Sequence, residues 1–84
     1  MRKVRRVVSA MKRNDAFRVV GAELARAEGL HGAMNSLHEG LSVVEEEMCE
    51  LRSAVYWPRR NRKNPRTEAI QLAAMAIRFL CDLC

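Results

Sequence analysis

The chain has 84 residues, of which 49% are hydrophobic and 30% are charged, and its formal net charge is +5. This length allows one small domain, whose core buries only about 60–65% of the surface that the unfolded chain exposes. The composition excludes a disordered chain, and four glycines with two prolines are too few to separate the strands of a many-stranded β fold. We therefore predict an all-α fold, a small bundle of three to four helices.

The first 13 residues form a basic segment with six lysines and arginines and no acid. We predict a basic N-terminal arm or short helix over residues 1–13, followed by a single helical domain over residues 14–84. No apolar signal region follows Met1, and no apolar run is long enough to cross a membrane. These features predict a cytoplasmic protein with no membrane partner.

The first helix of the domain is predicted over residues 15–28. Asn14 or Asp15 can cap its start, and Gly29 can supply a left-handed stop. Its apolar residues recur at helical spacing on one face, at Phe17, Val20, Leu24 and Ala27.

The second helix is predicted from Ser36 to Tyr56. Ser36 and Glu39 have the spacing of a capping box, and Pro58 ends the helix because the residue before proline avoids the helical conformation. A continuous apolar stripe follows its length, at Leu37, Leu41, Val44, Met48, Leu51 and Val55. We expect this stripe to supply much of the core.

The third helix is predicted from Pro65 to Leu83, with Asn64 as its cap and proline in the first helical position. Apolar residues cover nearly its whole circumference, and its one polar stripe comprises Glu68, Gln71, Arg78 and Asp82. Arg78 and Asp82 have the spacing of an intrahelical ion pair. Because two other helices cannot easily surround such a helix, we predict that oligomerisation, as a homodimer or homotetramer, completes the core.

Acidic residues are clustered on both sides of a basic segment. Glu46, Glu47 and Glu50 read as EE-x-x-E on the second helix, and Glu68 and Gln71 read as E-x-x-Q on the third. The intervening segment over residues 59–66 is rich in arginine, which suits phosphate oxygens. This pattern is typical of a site that holds Mg²⁺ with a nucleotide, although two solvated helix faces and a solubilising turn would have the same pattern.

Four stretches of the chain resemble a known family. They are AELARA at 22–27, HGAMNSLHEG at 31–40, VVEEEMCEL at 43–51 and EAIQLAAMAIR at 68–78. Together they are similar to small phage and mobile-element proteins of the MazG-like, all-α nucleoside triphosphate pyrophosphohydrolases. The resemblance covers roughly residues 17–83, and its E-x-x-E and A-A-M-A elements stand in the family's order.

The resemblance implies an oligomeric helical bundle that uses Mg²⁺ to split a nucleoside triphosphate, such as a dNTP, into monophosphate and pyrophosphate. It implies metal ligation by Glu47, Glu50 and Glu68, with Gln71 in the position of the family's aspartate. Because glutamine offers only a neutral carbonyl oxygen, one charge of the family's metal site is missing.

The remaining roles follow from the residues around these ligands. Glu46 is the spare acid that would orient the attacking water. The phosphates would be neutralised by Arg59, Arg62 and Lys63.

Two alternative functions stay open at this point. The chain could be a catalytically degenerate adaptor whose third helix mediates oligomerisation, which the missing charge at Gln71 favours. It could also be a basic nucleic-acid accessory protein acting through residues 1–13 and the basic segment at 59–66, and its affinity for duplex would then fall steeply with salt. The sequence does not specify the nucleobase, the oligomer number or the pathway.

Overall fold

The structure, a computed structural model, describes residues 10–61 and 63–84 and contains four helices and no strand within them. The helices are α1 (Arg13–Leu30), α2 (Leu37–Tyr56), α3 (Pro58–Asn61) and α4 (Pro65–Leu83). The predicted all-α bundle is therefore confirmed. In this part of the chain no helix is both long and apolar enough to cross a membrane. The predicted arm at 1–13 lies almost wholly outside the described residues.

The ends of α2 and α4 follow the predicted capping chemistry. The Ser36 hydroxyl accepts a hydrogen bond from the Glu39 amide at 3.1 Å, and the Asn64 side chain accepts one from the Arg66 amide at 2.8 Å. Pro65 occupies the first turn of α4, where its missing N–H costs nothing. Local sequence therefore determines where the two helices that carry the candidate site begin.

The predicted ends of α1 are wrong. The N-cap is Lys12, which makes no side-chain cap, and the helix continues through Gly29 to Leu30. Gly29 does not adopt a left-handed conformation, so it does not act as the predicted stop. His31 is the C-cap of the helix, and the chain continues from there into a segment held by α4.

That segment connects α1 to α2 and is fixed by two side chains of α4. The buried guanidinium of Arg78 donates to the Gly32 carbonyl, and the Asp82 carboxylate accepts from the Met34 amide at 3.0 Å. Arg78 and Asp82 also form the predicted intrahelical pair, at 3.6 Å. These contacts give the pair a tertiary role that sequence spacing alone did not indicate.

Helix α4 lies between α1 and α2 and packs against both, while the backbones of α1 and α2 do not approach each other. The buried apolar residues of the described chain are few, namely Ala27, Met34, Ala54, Ala74 and Met75, and all but Ala54 form one cluster. Gly40 permits a close approach of α2 to α4, because a Cβ there would lie 2.5 Å from Leu83 Cδ1 and 2.8 Å from the Phe79 ring. The N-terminal half of α2 is thereby seated on α4.

Two predicted core faces are oriented differently from expectation. Phe17 is 70% exposed, although Val20, Leu24 and Ala27 do pack inward. On α2, the predicted stripe points largely to solvent, since Leu37, Leu41, Met48 and Val55 each keep 51–57% of their surface exposed. The side that meets α4 carries Gly40, Val43, Glu47 and Ala54, and of the predicted stripe Val44 also packs against the core.

Candidate metal centre

Three glutamates from α2 and α4 converge where the two helices pack. Glu47 and Glu50 are one turn apart on α2, and Glu68 lies in the first turn of α4, four residues after its Asn64 cap. One carboxylate oxygen from each residue lies within 4.8 Å of the other two. The structure therefore brings together the three carboxylates that the sequence predicted as metal ligands.

Two of these carboxylates contain buried oxygens with no hydrogen-bond partner. Glu68 is only 7% exposed, and its Oε1 accepts no hydrogen bond; Oε1 of the half-buried Glu47 is in the same condition. A buried carboxylate without donors is costly unless a cation or a proton compensates it. The protein itself therefore supplies no donor to these two buried oxygens.

The surroundings of Glu47 make its ionised form unfavourable. Burial is the largest cause that raises the pKa of Glu47, followed by the negative charges of Glu50, Glu68, Glu46 and Glu23. No cation is among the causes of this shift. A bound cation would reverse the effect, because an opposite charge nearby favours the carboxylate.

Glu68 is protonated more readily than an ordinary glutamate for related reasons. Burial raises the pKa of Glu68 most, a hydrogen bond with the Glu50 carboxyl raises it further, and the charge of Lys63 opposes the shift. Two carboxyls can share such a bond only if one of them carries a proton. A cation bound between Glu50 and Glu68 would provide the compensation that such a proton provides.

An open cleft of about 540 Å³ adjoins the cluster on the side of α1. Its lining includes Glu46, Glu47 and Gln71, together with the segment from His31 to Asn35. A volume of this size is in the range of small-molecule sites. The cleft and the carboxylate cluster share Glu47, so a molecule in the cleft would lie beside the candidate ligands.

The other predicted site residues have different placements. Glu46 is exposed at the cleft, and Gln71 is half-buried there, one turn beyond Glu68 on α4. Lys63 is near enough to Glu68 to lower the pKa of that carboxyl, whereas Arg59 is exposed on α3. Arg62 lies outside the described residues. A short helix, α3, occupies part of the segment that was predicted as a loop.

The cleft also contains charged residues to which sequence reasoning assigned no role. Arg26 of α1 donates to both oxygens of Glu23, at 2.9 and 2.6 Å, and the pair lines the cleft together with Gln71. Arg78 forms part of the same lining. The i, i+3 spacing of Glu23 and Arg26 could have indicated the ion pair, but only the packing of α1 against α4 places it at this cleft.

Comparison with protein-family models, with curated proteins and with solved structures finds no match to this chain. Any function assigned to the cluster therefore depends on its own geometry and on the motif resemblance.

Proposed function

We propose that this chain is a Mg²⁺-dependent nucleoside triphosphate pyrophosphohydrolase of the MazG-like type, which releases a nucleoside monophosphate and pyrophosphate. The convergence of Glu47, Glu50 and Glu68, with two buried oxygens that lack partners, is the observation that supports this proposal most strongly. The EE-x-x-E and E-x-x-Q patterns, which resemble that family's metal motifs, lie on the two helices that form the cluster.

The donor set suits Mg²⁺ better than a softer metal. All three candidate ligands offer hard carboxylate oxygens, and neither a cysteine nor a histidine is part of the cluster found among the described residues. Mg²⁺ takes oxygen ligands at about 2.0–2.1 Å and keeps sites for water and substrate phosphates. Oxygens within 4.8 Å of one another need only a small inward movement to share one ion.

In the proposed reaction, water adds to the phosphorus next to the sugar, and the bond from that phosphorus to the leaving pyrophosphate breaks. Mg²⁺, when bound, would neutralise and polarise the phosphate oxygens. Glu46, exposed at the cleft beside Glu47, would orient the water and accept its proton. Gln71 would contribute its neutral carbonyl oxygen to the same site.

Charge supports an orientation in which the phosphates lie toward the Lys63 end of the cluster. The two arginines of the cleft are already engaged, Arg26 by Glu23 and Arg78 by the Gly32 carbonyl. Lys63, by contrast, acts electrostatically on Glu68 and is not part of the cleft lining. Lys63, together with Arg59 and Arg62, would therefore neutralise the phosphates, and the cleft would accept the nucleoside.

The test is incubation of the protein with a panel of nucleoside and deoxynucleoside triphosphates and Mg²⁺, with pyrophosphate as the readout. Glu47→Gln should reduce turnover by about 100-fold or more, because even indirect partners of a metal site typically contribute 10–100-fold. Glu45→Gln is the matched control, since Glu45 is exposed and outside the cluster. Equal turnover in wild type and Glu47→Gln, or no turnover with any triphosphate, would contradict the proposal.

A second candidate function is a non-enzymatic helical adaptor. The neutral Gln71 and the exposed apolar stripe on α2 favour it, because one weakens the metal site and the other offers a binding surface. Calorimetry separates the two functions: an enzyme binds Mg²⁺ and a nonhydrolysable triphosphate in a linked manner, and an adaptor binds neither. The homo-oligomer and the cytoplasmic setting predicted from the sequence belong to the proposal in both cases.

A further inference from the structure

Helix α1 brings one carboxylate to the surroundings of the candidate metal centre. Glu23 lines the cleft together with Glu46 and Glu47 of α2, and only 15% of its side chain is exposed. Its negative charge is one of those that raise the pKa of Glu47, so it acts on the cluster from the neighbouring helix. Glu23 is not among the residues that converge within 4.8 Å, and its effect on a bound ion would therefore be exerted from outside the direct ligands.

Glu23 also lies beside the neutral residue of the candidate site, Gln71. A second cavity, of about 320 Å³, lies between α1 and the start of α4. The residues that line both this cavity and the cleft are Glu23, Arg26 and Gln71, which places the ion pair of α1 next to the glutamine of α4. A carboxylate at position 71 would repel Glu23, whereas the amide does not. The charge that is missing on α4 is thus present on α1.

The ion pair of Glu23 and Arg26 is oriented with its negative member inward. Arg26 keeps 54% of its side chain exposed, against 15% for Glu23, and it holds both carboxylate oxygens. The guanidinium can therefore return to water at little cost, while the carboxylate stays within the protein. This asymmetry fixes a negative charge next to a cluster in which the 93% buried Glu68 has an oxygen without a partner.

We propose that Glu23 is the fourth acid of the metal centre, an outer acid that supplies the charge Gln71 lacks, and that Arg26 holds it in position. Mg²⁺ is usually held by one or two direct carboxylates and keeps several waters, so an acid outside the direct ligands can act on the ion through water. Such outer partners orient a metal site and tune its affinity. The inference rests on the proposed function, because it takes the metal site of that function as its starting point.

The first test compares the Mg²⁺ affinity of Glu23→Gln and Arg26→Gln, measured from the rise in melting temperature of the full chain with Mg²⁺ concentration. Both substitutions break the same ion pair, so a purely structural pair would give both variants the same change. We expect Glu23→Gln to weaken Mg²⁺ binding about 10-fold or more, the effect typical of outer partners. Arg26→Gln should strengthen it about two- to fivefold, because a half-exposed positive charge no longer opposes the ion.

A second ion pair of α1 provides the matched controls. Asp15 and Arg18 have the same i, i+3 spacing and lie 3.6 Å apart, but both are exposed and neither lines the cleft or the second cavity. Asp15→Asn and Arg18→Gln should leave the Mg²⁺ affinity unchanged. Changes as large as those at Glu23 and Arg26 would show that the overall charge of α1 determines the affinity, and would overturn the proposal.

The second test moves the carboxylate between the two helices. Glu23→Gln/Gln71→Glu keeps the net charge and should recover most of the Mg²⁺ affinity that Glu23→Gln loses. A double variant as weak as Glu23→Gln, or equal losses in Glu23→Gln and Arg26→Gln, would overturn the proposal.

Pyrophosphate release by the wild type separates this inference from the proposed function. If the wild type binds Mg²⁺ and releases pyrophosphate while Glu23→Gln binds Mg²⁺ equally well, the outer acid is wrong and the function stands. A wild type whose melting temperature does not respond to Mg²⁺ also overturns the outer acid, and the function fails with it if no pyrophosphate is released.

Discussion

The two faces of α2 differ in a way that reverses the usual rule of apolar residues inside. The side that meets α4 carries glycine, alanine and two glutamates, while the neighbouring stripe keeps two leucines, a valine and a methionine more than half exposed. Both sets repeat at helical spacing, so periodicity alone does not say which one packs inward. The difference shows that a close approach of α2 to α4 at Gly40 goes with an orientation that leaves several of the larger apolar residues of α2 at the surface.

The largest effect is expected from two adjacent residues that lie on different faces. Glu47→Gln removes a candidate ligand and should reduce Mg²⁺-dependent hydrolysis about 100-fold or more without changing the oligomeric mass. Met48→Gln changes an exposed residue outside the cluster and should leave both the hydrolysis and the Mg²⁺-induced rise in melting temperature intact. The measurements are pyrophosphate release, sedimentation, and thermal unfolding with and without Mg²⁺. If both substitutions change the same property, the two faces do not have separate roles.

A second comparison concerns glycines inside helices. Gly40→Ala adds a Cβ that meets Leu83 and the Phe79 ring at less than 3 Å, so we expect a loss of about 1 kcal/mol despite the better helix propensity. Gly21→Ala on α1, where nothing lies within 4 Å, should instead stabilise by about 0.5–1 kcal/mol. Urea unfolding of the two variants gives both values.

Equal and positive changes at both glycines would contradict the close approach of α2 to α4. A loss at Gly40 alone supports the view that this contact orients α2.

Much of the fold was predictable because it depends on local chemistry. Ser36, Asn64 and Pro65 determine where α2 and α4 begin, and these signals operate within one turn. The end of α1 was not predictable, because Arg78 and Asp82 hold the following segment from a distant part of the chain. The orientation of α2 was missed for a similar reason. The side of α2 that approaches α4 is marked by Gly40, which lies against the Phe79 ring from a distant part of the chain, and not by the apolar stripe.

In the candidate site, too, some features follow from local sequence and others depend on distant parts of the chain. Glu47, Glu50 and Glu68 were identified from motif spacing, and their convergence follows from two helices that pack side by side. The ion pair of Glu23 and Arg26 could not be assigned to the cleft, because its helix carries no motif that fixes its rotation about α4.

A smaller effect is expected from Glu68→Gln in the absence of metal. This change removes a buried carboxylate whose Oε1 lacks a partner, so metal-free protein at neutral pH should gain about 1 kcal/mol. For a chain of this size that gain raises the melting temperature by about 4–8 °C. The same substitution should abolish most of the stabilisation that Mg²⁺ gives to wild type.

Glu45→Gln serves as the control for Glu68→Gln, because Glu45 is exposed on α2 and lies outside both the cluster and the cleft lining. A lower metal-free melting temperature for Glu68→Gln would show that the carboxylate is already satisfied by the protein.

The smallest effect is the pH dependence of the metal-free chain. The pKa values of Glu47 and Glu68 are raised above 4.5, so the folded state binds protons more tightly than the unfolded state. Their stabilising contribution is therefore fully present below the ordinary pKa and is lost as the pH rises through the raised values. The lowered pKa of Glu23 acts in the opposite direction, at more acidic pH. The difference in unfolding free energy between wild type and Glu47→Gln/Glu68→Gln isolates the two raised groups.

Without metal, we expect the unfolding free energy of wild type to fall relative to that of Glu47→Gln/Glu68→Gln as the pH rises above 4.5. With saturating Mg²⁺, we expect it to rise relative to that of the variant over the same pH range. The reversal follows because a metal ion binds the deprotonated carboxylates and so competes with protons for the same oxygens. Identical pH profiles with and without Mg²⁺ would mean that protons alone compensate the cluster. The side of α2 that meets α4 would then be an acidic packing surface that uses no metal ion.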